Sequence, residues 1–154
     1  MSIYLHLPLK PHPKQRPRLG RRTTYTPPST RTFQKSVKIM SSHLSPLDGA
    51  LSMSVVFIYP RLRSAPKSKP ERSIKFSRPD IDNLIKSLSD GLQGTAFHDD
   101  GQLAQVSAVK MYAGIGEEAH IEVTISSVDE SLLEELKTTR DVLELRSQKS
   151  ELSR

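Results

Sequence analysis

The stretch RPDIDNLIKSLSDGLQG, residues 78–94, decides how this chain is read. Ile81, Leu84, Ile85, Leu88 and Leu92 recur in it at helical spacing and form one apolar stripe, and Gly91 or Gly94 ends the helix. At about 100° per residue, Asp82, Lys86 and Asp90 fall on one arc opposite Leu84, Ile85 and Leu88. The helix therefore packs by one face and presents two acids and a lysine on the other. Asp80 follows Pro79 at the N-cap position, so its carboxylate can lie near that of Asp82 at the positive end of the helix dipole.

An FHDDG turn follows the helix, and residues 102–112 and 119–127 predict two strands joined as a hairpin through Gly114 and Gly116. Upstream, residues 61–78 form a basic loop with seven Lys or Arg and one Glu. Leu51, Met53, Val55, Phe57 and Tyr59 alternate, with Val56 and Ile58 on the other side, as in a central strand. Thr30 is placed to cap a first helix in which Phe33, Val37, Met40 and Leu44 recur. Residues 9–30 carry six Lys or Arg and five prolines and predict a second basic loop. Ile3, Leu5 and Leu7 alternate in a first strand. The fold class is α/β (α+β): a small mixed sheet of about four strands packed with two main helices. Residues 1–128 form one domain, and 129–154 form a helical extension, partly disordered, with Leu132, Leu136 and Leu143 near one face.

Charge is divided unevenly along the 154 residues. Residues 1–78 hold 16 Lys and Arg against 2 Asp and Glu, whereas residues 79–154 hold 7 against 15, so the halves carry +14 and −8. A basic half this pure is what a phosphate-neutralising surface requires, although a solvated face or pairing between the halves gives the same count. No apolar run approaches the roughly 18 residues of a membrane span, and no signal peptide is evident. The expected location is the cytoplasm of a bacterial or phage-infected cell. With no cysteine, thiolate nucleophiles and zinc-thiolate sites are excluded, so any metal sits on oxygen or imidazole.

Asp99 and Asp100 lie just past the central helix, with enough chain between to fold back toward Asp80 and Asp82. Clustered carboxylates without thiolate suit a hard ion such as Mg²⁺, or Mn²⁺ in its place. On a phosphodiester, such an ion polarises a phosphoryl oxygen and activates water, and Lys86 stabilises the growing charge or orients the water. Each residue also has an ordinary reading: Asp80 and Asp82 as helix caps and first-turn acids, Lys86 as an i,i+4 partner of Asp82, Asp99-Asp100-Gly101 as a turn. The combination favours chemistry, because an acidic patch directly after a strongly basic loop suits DNA binding only if metal neutralises it. Asn83 can hydrogen-bond a ligating carboxylate.

RPDIDNLIKSLSDGL, followed by FHDDGQLAQVSAVK, resembles the RusA-type Holliday junction resolvases, small endodeoxyribonucleases of bacteria and their prophages. The pattern is D-x-D-N-x-x-K, then D-x-L, then D-D-x-Q and a later lysine, over Arg78 to Lys110. KQRPR at Lys14 to Arg18 and TYTP at Thr24 to Pro27 look like the phage-type branch and extend the match more loosely over residues 1–127. The resemblance implies catalytic Asp80, Asp82, Asp100 and Lys86, with Asp99 as a helper in metal binding. It also implies Mg²⁺ dependence, a homodimer, no small-molecule cofactor, and paired nicks across a four-way junction. A C2 dimer offers two identical sites to a substrate of matching symmetry. Lys14, Arg16, Arg18, Arg21, Arg22 and Arg78 are the expected contacts to DNA phosphates. His98 is a neighbour of the site rather than one of the family's catalytic positions, and the tail beyond about residue 128 has no counterpart in the family pattern.

Three rival readings share these residues. One is a non-catalytic nucleic-acid-binding module whose acids only cap a helix. The second is a nuclease acting mainly on forks, flaps or other branched DNA. The third is a Mg²⁺-dependent transferase using Asp-x-Asp, against which the lack of a glycine-rich phosphate cradle counts.

Overall fold

The structure, a computed structural model, describes residues 1–128 together with 131, 134–138, 141 and 144. Strand β4 (Leu51–Tyr59) lies at the centre of a five-stranded mixed sheet. Strand β7 (His120–Ser127) pairs with it antiparallel on one side, and β6 (Leu103–Tyr112) pairs parallel on the other. Strand β1 (Ser2–Leu7) closes one edge against β7, and the two-residue β5 (Ser73–Ile74) pairs with the end of β6. The spatial order is β1-β7-β4-β6-β5. The four long strands are those that the alternation predicts. Strand β5 is an addition, formed inside the basic segment 61–78.

The predicted hairpin is corrected. Strands β6 and β7 do not pair with each other, because β4 lies between them. The link 113–119 therefore crosses two strand spacings, roughly 10 Å. Strand β4 carries apolar residues on both faces, and the central place gives both its edges hydrogen-bond partners. Leu51, Met53, Val55, Phe57 and Tyr59 on one face, with Leu5, Leu7, Ile121, Val123 and Ile125 beside them, form the core.

Helices α1 (Pro28–Met40) and α2 (Ile81–Leu92) cover that face. Helix α1 begins three residues earlier than a cap at Thr30 predicts. Pro28 presets the first helical φ, and Thr30 is buried with its hydroxyl accepting the Gln15 N–H at 3.4 Å. Phe33 and Val37 reach the core, whereas Met40 is partly exposed and Leu44 lies in the turn beyond the helix. In α2, Leu84, Leu88 and Leu92 are fully buried. Gly94, at φ +84°, follows its C-cap. Gly91 has another use, since a Cβ there would stand 2.8 Å from Val37 Cβ and 3.2 Å from the Gln34 carbonyl oxygen. The two helices meet at this glycine.

A small β2–β3 ribbon (Arg18–Leu19 with Thr24–Tyr25) projects from the first basic segment. The second basic segment is stapled down by Arg72, which donates to Glu117 and Glu122, while the Ile115 N–H donates to the Pro70 carbonyl. Positions 134–138 are helical, and Leu136 is exposed. Leu132 and Leu143, expected on the same face, lie outside the described residues. Among the described residues no helix is long and apolar enough to cross a membrane.

Gly91→Ala would ordinarily strengthen a helix by about 1 kcal/mol. Here the added methyl overlaps Val37, so the variant is expected to lose about 1–2 kcal/mol of stability in urea unfolding.

Candidate active site

Asp80 occupies the N-cap of α2 in extended conformation, yet its side chain makes no capping hydrogen bond. Asp82 stands in the first turn, exposed like Asp80. Among the described residues neither carboxylate has an ion-pair partner. Two anions therefore stand at the positive end of a helix without a cation of their own.

One turn along, Lys86 donates to Asp100 Oδ2 at 2.8 Å and stands 4.0 Å from Asp90 Oδ1. Asp90 is shared: Lys14 reaches its Oδ2 at 2.6 Å and Gln34 Nε2 donates to the same oxygen at 3.1 Å. The Lys14 N–H also donates to the Asn83 carbonyl, which ties the first basic segment to α2. The hydrogen bond to Asp100 raises the Lys86 pKa, and the same bond holds the Asp100 carboxyl below its ordinary range.

The turn carrying Asp100 is built by its neighbours. Asp99 caps the short 3-10 turn Asp100–Gln102, its Oδ1 accepting the Gly101 N–H at 2.8 Å. Gln102 Oε1 accepts the His98 and Asp99 N–H groups, while its Nε2 donates to the carbonyls of Leu47 and Gly49. Gln102 thus fixes the acidic turn to the chain entering β4. His98 faces Asp48, with Nε2 at 3.0 Å, rather than the aspartates.

The segment entering Asp80 is held equally firmly. Lys110 on β6 donates to the carbonyls of Ser77 and Pro79, each at 2.7 Å, on either side of the cis Arg78–Pro79 peptide. Lys75 is buried with its ammonium 5.1 Å from the centres of the Tyr59 and Tyr112 rings, and it donates to Ser77 Oγ. Neither lysine is a free surface charge.

The structure brings Lys86 to Asp100, but it does not gather three of Asp80, Asp82, Asp99 and Asp100 with carboxylate oxygens within 4.8 Å of one another; among the described residues only Glu117, His120 and Glu122 meet that distance. That second group already holds the Arg72 guanidinium on both its carboxylates. Asp80 and Asp82 differ from that group in offering carboxylate oxygens with no cation on them, the donor type that hard divalent ions prefer, whereas Asp100 carries Lys86. Arg16, Arg18, Arg21, Arg22 and Arg78 are all exposed, as phosphate contacts require. Lys14 differs, being half-buried against Asp90.

Sequence reasoning gave no role to Asp90, Gln34, Gln102 or Lys110. Asp90 had a signal, its i+4 place after Lys86. Gln102 and Lys110 stand in the quoted motif as its glutamine and later lysine, but their bonds to backbone carbonyls, like the reach of Gln34 to Asp90, have no periodic signature.

The arrangement is that of a small α+β protein with an acidic helix start set between two basic segments. The sequence profile of the endodeoxyribonuclease RusA family matches residues 8–126, and the chain belongs to that family. It is also 30% identical over 112 residues to the uncharacterized protein YqaN of Bacillus subtilis (strain 168), a match covering 66% of this chain and 77% of the relative.

Two measurements check this geometry. Removing the ammonium in Lys86→Met is expected to move the Asp100 titration upward, toward the ordinary carboxyl range, in carboxyl-carbon NMR. The sign follows from a carboxylate whose charged form loses its partner. Lys110→Met is expected to free the Ser77 and Pro79 carbonyls and to weaken Mn²⁺ binding by about tenfold, read by electron paramagnetic resonance, with a smaller loss in Lys110→Arg.

Proposed function

We propose that this protein is a divalent-metal-dependent endonuclease that resolves four-way DNA junctions by paired symmetric nicks, acting as a homodimer in DNA recombination and repair in the cytoplasm of a bacterial or phage-infected cell. The observation that carries the reading is the start of α2, where Asp80 and Asp82 stand without a cation while Lys86 is fixed on Asp100.

Asp80, Asp82 and Asp100, with Asp99 adjacent, would hold Mg²⁺ or Mn²⁺, whose chemistry when bound is to polarise a phosphodiester oxygen and favour attack by water. Lys86, whose ammonium form the hydrogen bond to Asp100 further favours, carries its charge to the side where negative charge grows on the phosphoryl group. Asp90 and Lys14 hold that lysine's surroundings fixed. Lys110 and Gln102 act as positioning residues, setting the backbone before Asp80 and around Asp100. Arg16, Arg18, Arg21, Arg22 and Arg78 contact phosphates of the junction arms, and such contacts weaken steeply with salt. Two sites related by a two-fold axis match the two symmetric cuts that resolution needs.

The test is strand-resolved cleavage of synthetic four-way junctions in Mg²⁺, compared with forked and duplex DNA. Asp82→Asn is expected to lower junction cleavage by on the order of 10²-fold or more. Junction binding in the same variant is expected to be retained. Unchanged cleavage would remove Asp82 from the site, and cleavage confined to forks would redirect the reading to another branched substrate.

A further inference from the structure

Phe76 is 95% exposed, while Phe57 and Phe97 are fully buried and Phe33 is 7% exposed. We infer that Phe76 is a stacking residue for a base face uncovered at a DNA branch point, and so helps this protein tell branched DNA from duplex. The inference rests on the nuclease reading proposed above.

Its exposure is not that of a loose loop. The Lys75 N–H donates to the Lys110 carbonyl at 2.9 Å, which continues the β5–β6 ladder, and the Lys75 side chain lies against Tyr59 and Tyr112. Successive side chains of an extended strand point to opposite faces, so Phe76 is turned away from those rings. One residue further, Ser77 is held by its carbonyl to Lys110 and by its hydroxyl to Lys75. The backbone is fixed on both sides of a phenyl ring that has nothing to pack on. A rigid aromatic of this kind binds with little loss of conformational entropy.

Charge and distance select the occupant. Residues 61–78 carry seven Lys or Arg and one Glu, a setting unlike the lysine-poor centre of a protein–protein interface and suited to a polyanion with π faces. Phe76 is four residues before Asp80, so their Cα atoms are at most about 14 Å apart, a reach of about four base steps along one strand. Within a duplex each base face is covered by its neighbour. At a crossover the terminal pairs of the arms uncover faces, and an apolar ring can wedge against them.

The experiment places 2-aminopurine at the crossover of a four-way junction, with Ca²⁺ replacing Mg²⁺ for fluorescence and Mg²⁺ restored for cleavage. Binding of the wild-type protein is expected to change the fluorescence. Phe76→Ala should abolish that change and lower both junction affinity and junction cleavage, each by roughly ten- to a hundredfold, the size of one base–aromatic stack. Its duplex affinity and melting temperature should match wild type, and Phe76→Trp should restore both signals. Cleavage by Phe76→Ala within about twofold of wild type overturns the inference, and so does a loss of dimer in sedimentation, which would make Phe76 a contact between copies. If wild-type protein neither binds nor cleaves any branched DNA, the nuclease reading itself fails, and this inference falls with it.

Discussion

The site depends on one packing constraint, that α2 bury Leu84, Leu88 and Leu92 on the sheet. Each buried leucine contributes roughly 1.5–3 kcal/mol, so turning the helix by a single residue, about 100°, would cost several kcal/mol. The ion pair of Lys86 with Asp100 is solvent-exposed, and water and salt screen such pairs. Apolar burial therefore decides where Asp82, Lys86 and Asp90 point, and the ion pair only refines it. Gly91 adds a second constraint by letting α1 close on α2, which brings Gln34 within reach of Asp90.

Around that helix, two polar side chains act on backbone rather than on one another. Gln102 closes the acidic turn and fastens it to the entry of β4, and Lys110 fastens the approach to Asp80 onto β6. Strand β6 follows the turn directly, so the two acidic segments are referred to the same strand. An exposed carboxylate on a free loop would sample many positions. Here the chain leading to Asp80 is tied through its carbonyls, and the turn carrying Asp100 through its amides.

Much of this was legible in the sequence. Alternation located β1, β4, β6 and β7, and the 3.6-residue period located α2 and the arc that carries Asp82, Lys86 and Asp90. Periodicity tells which face of a strand is buried, not which strand lies beside it, and for that reason β6 and β7 read as a hairpin although β4 separates them. Strand β5 is too short for a period to be visible. Thr30 looked like a cap because its chemistry suits one, but Pro28 fixes the helix start and Thr30 turns inward. The pairing of Lys14 with Asp90 spans 76 residues and has no local signature, so Lys14 read as one more phosphate contact in a basic run. The motif pointed to Asp80, Asp82, Lys86 and Asp100 as a group, whereas the structure brings only Lys86 and Asp100 into direct contact.

The place of β4 between β6 and β7 also sets an order of events for a chain leaving the ribosome. Val55 pairs with Ala108 on one side and Val123 on the other, and Leu5 pairs with Val123. Within the five-stranded sheet β1 has β7 as its sole neighbour, so β1 finds its partner in that sheet only once β7 has been made. Contacts of such long sequence separation slow folding. Until β7 is made, β1 and the basic segment that follows it have no place in the sheet.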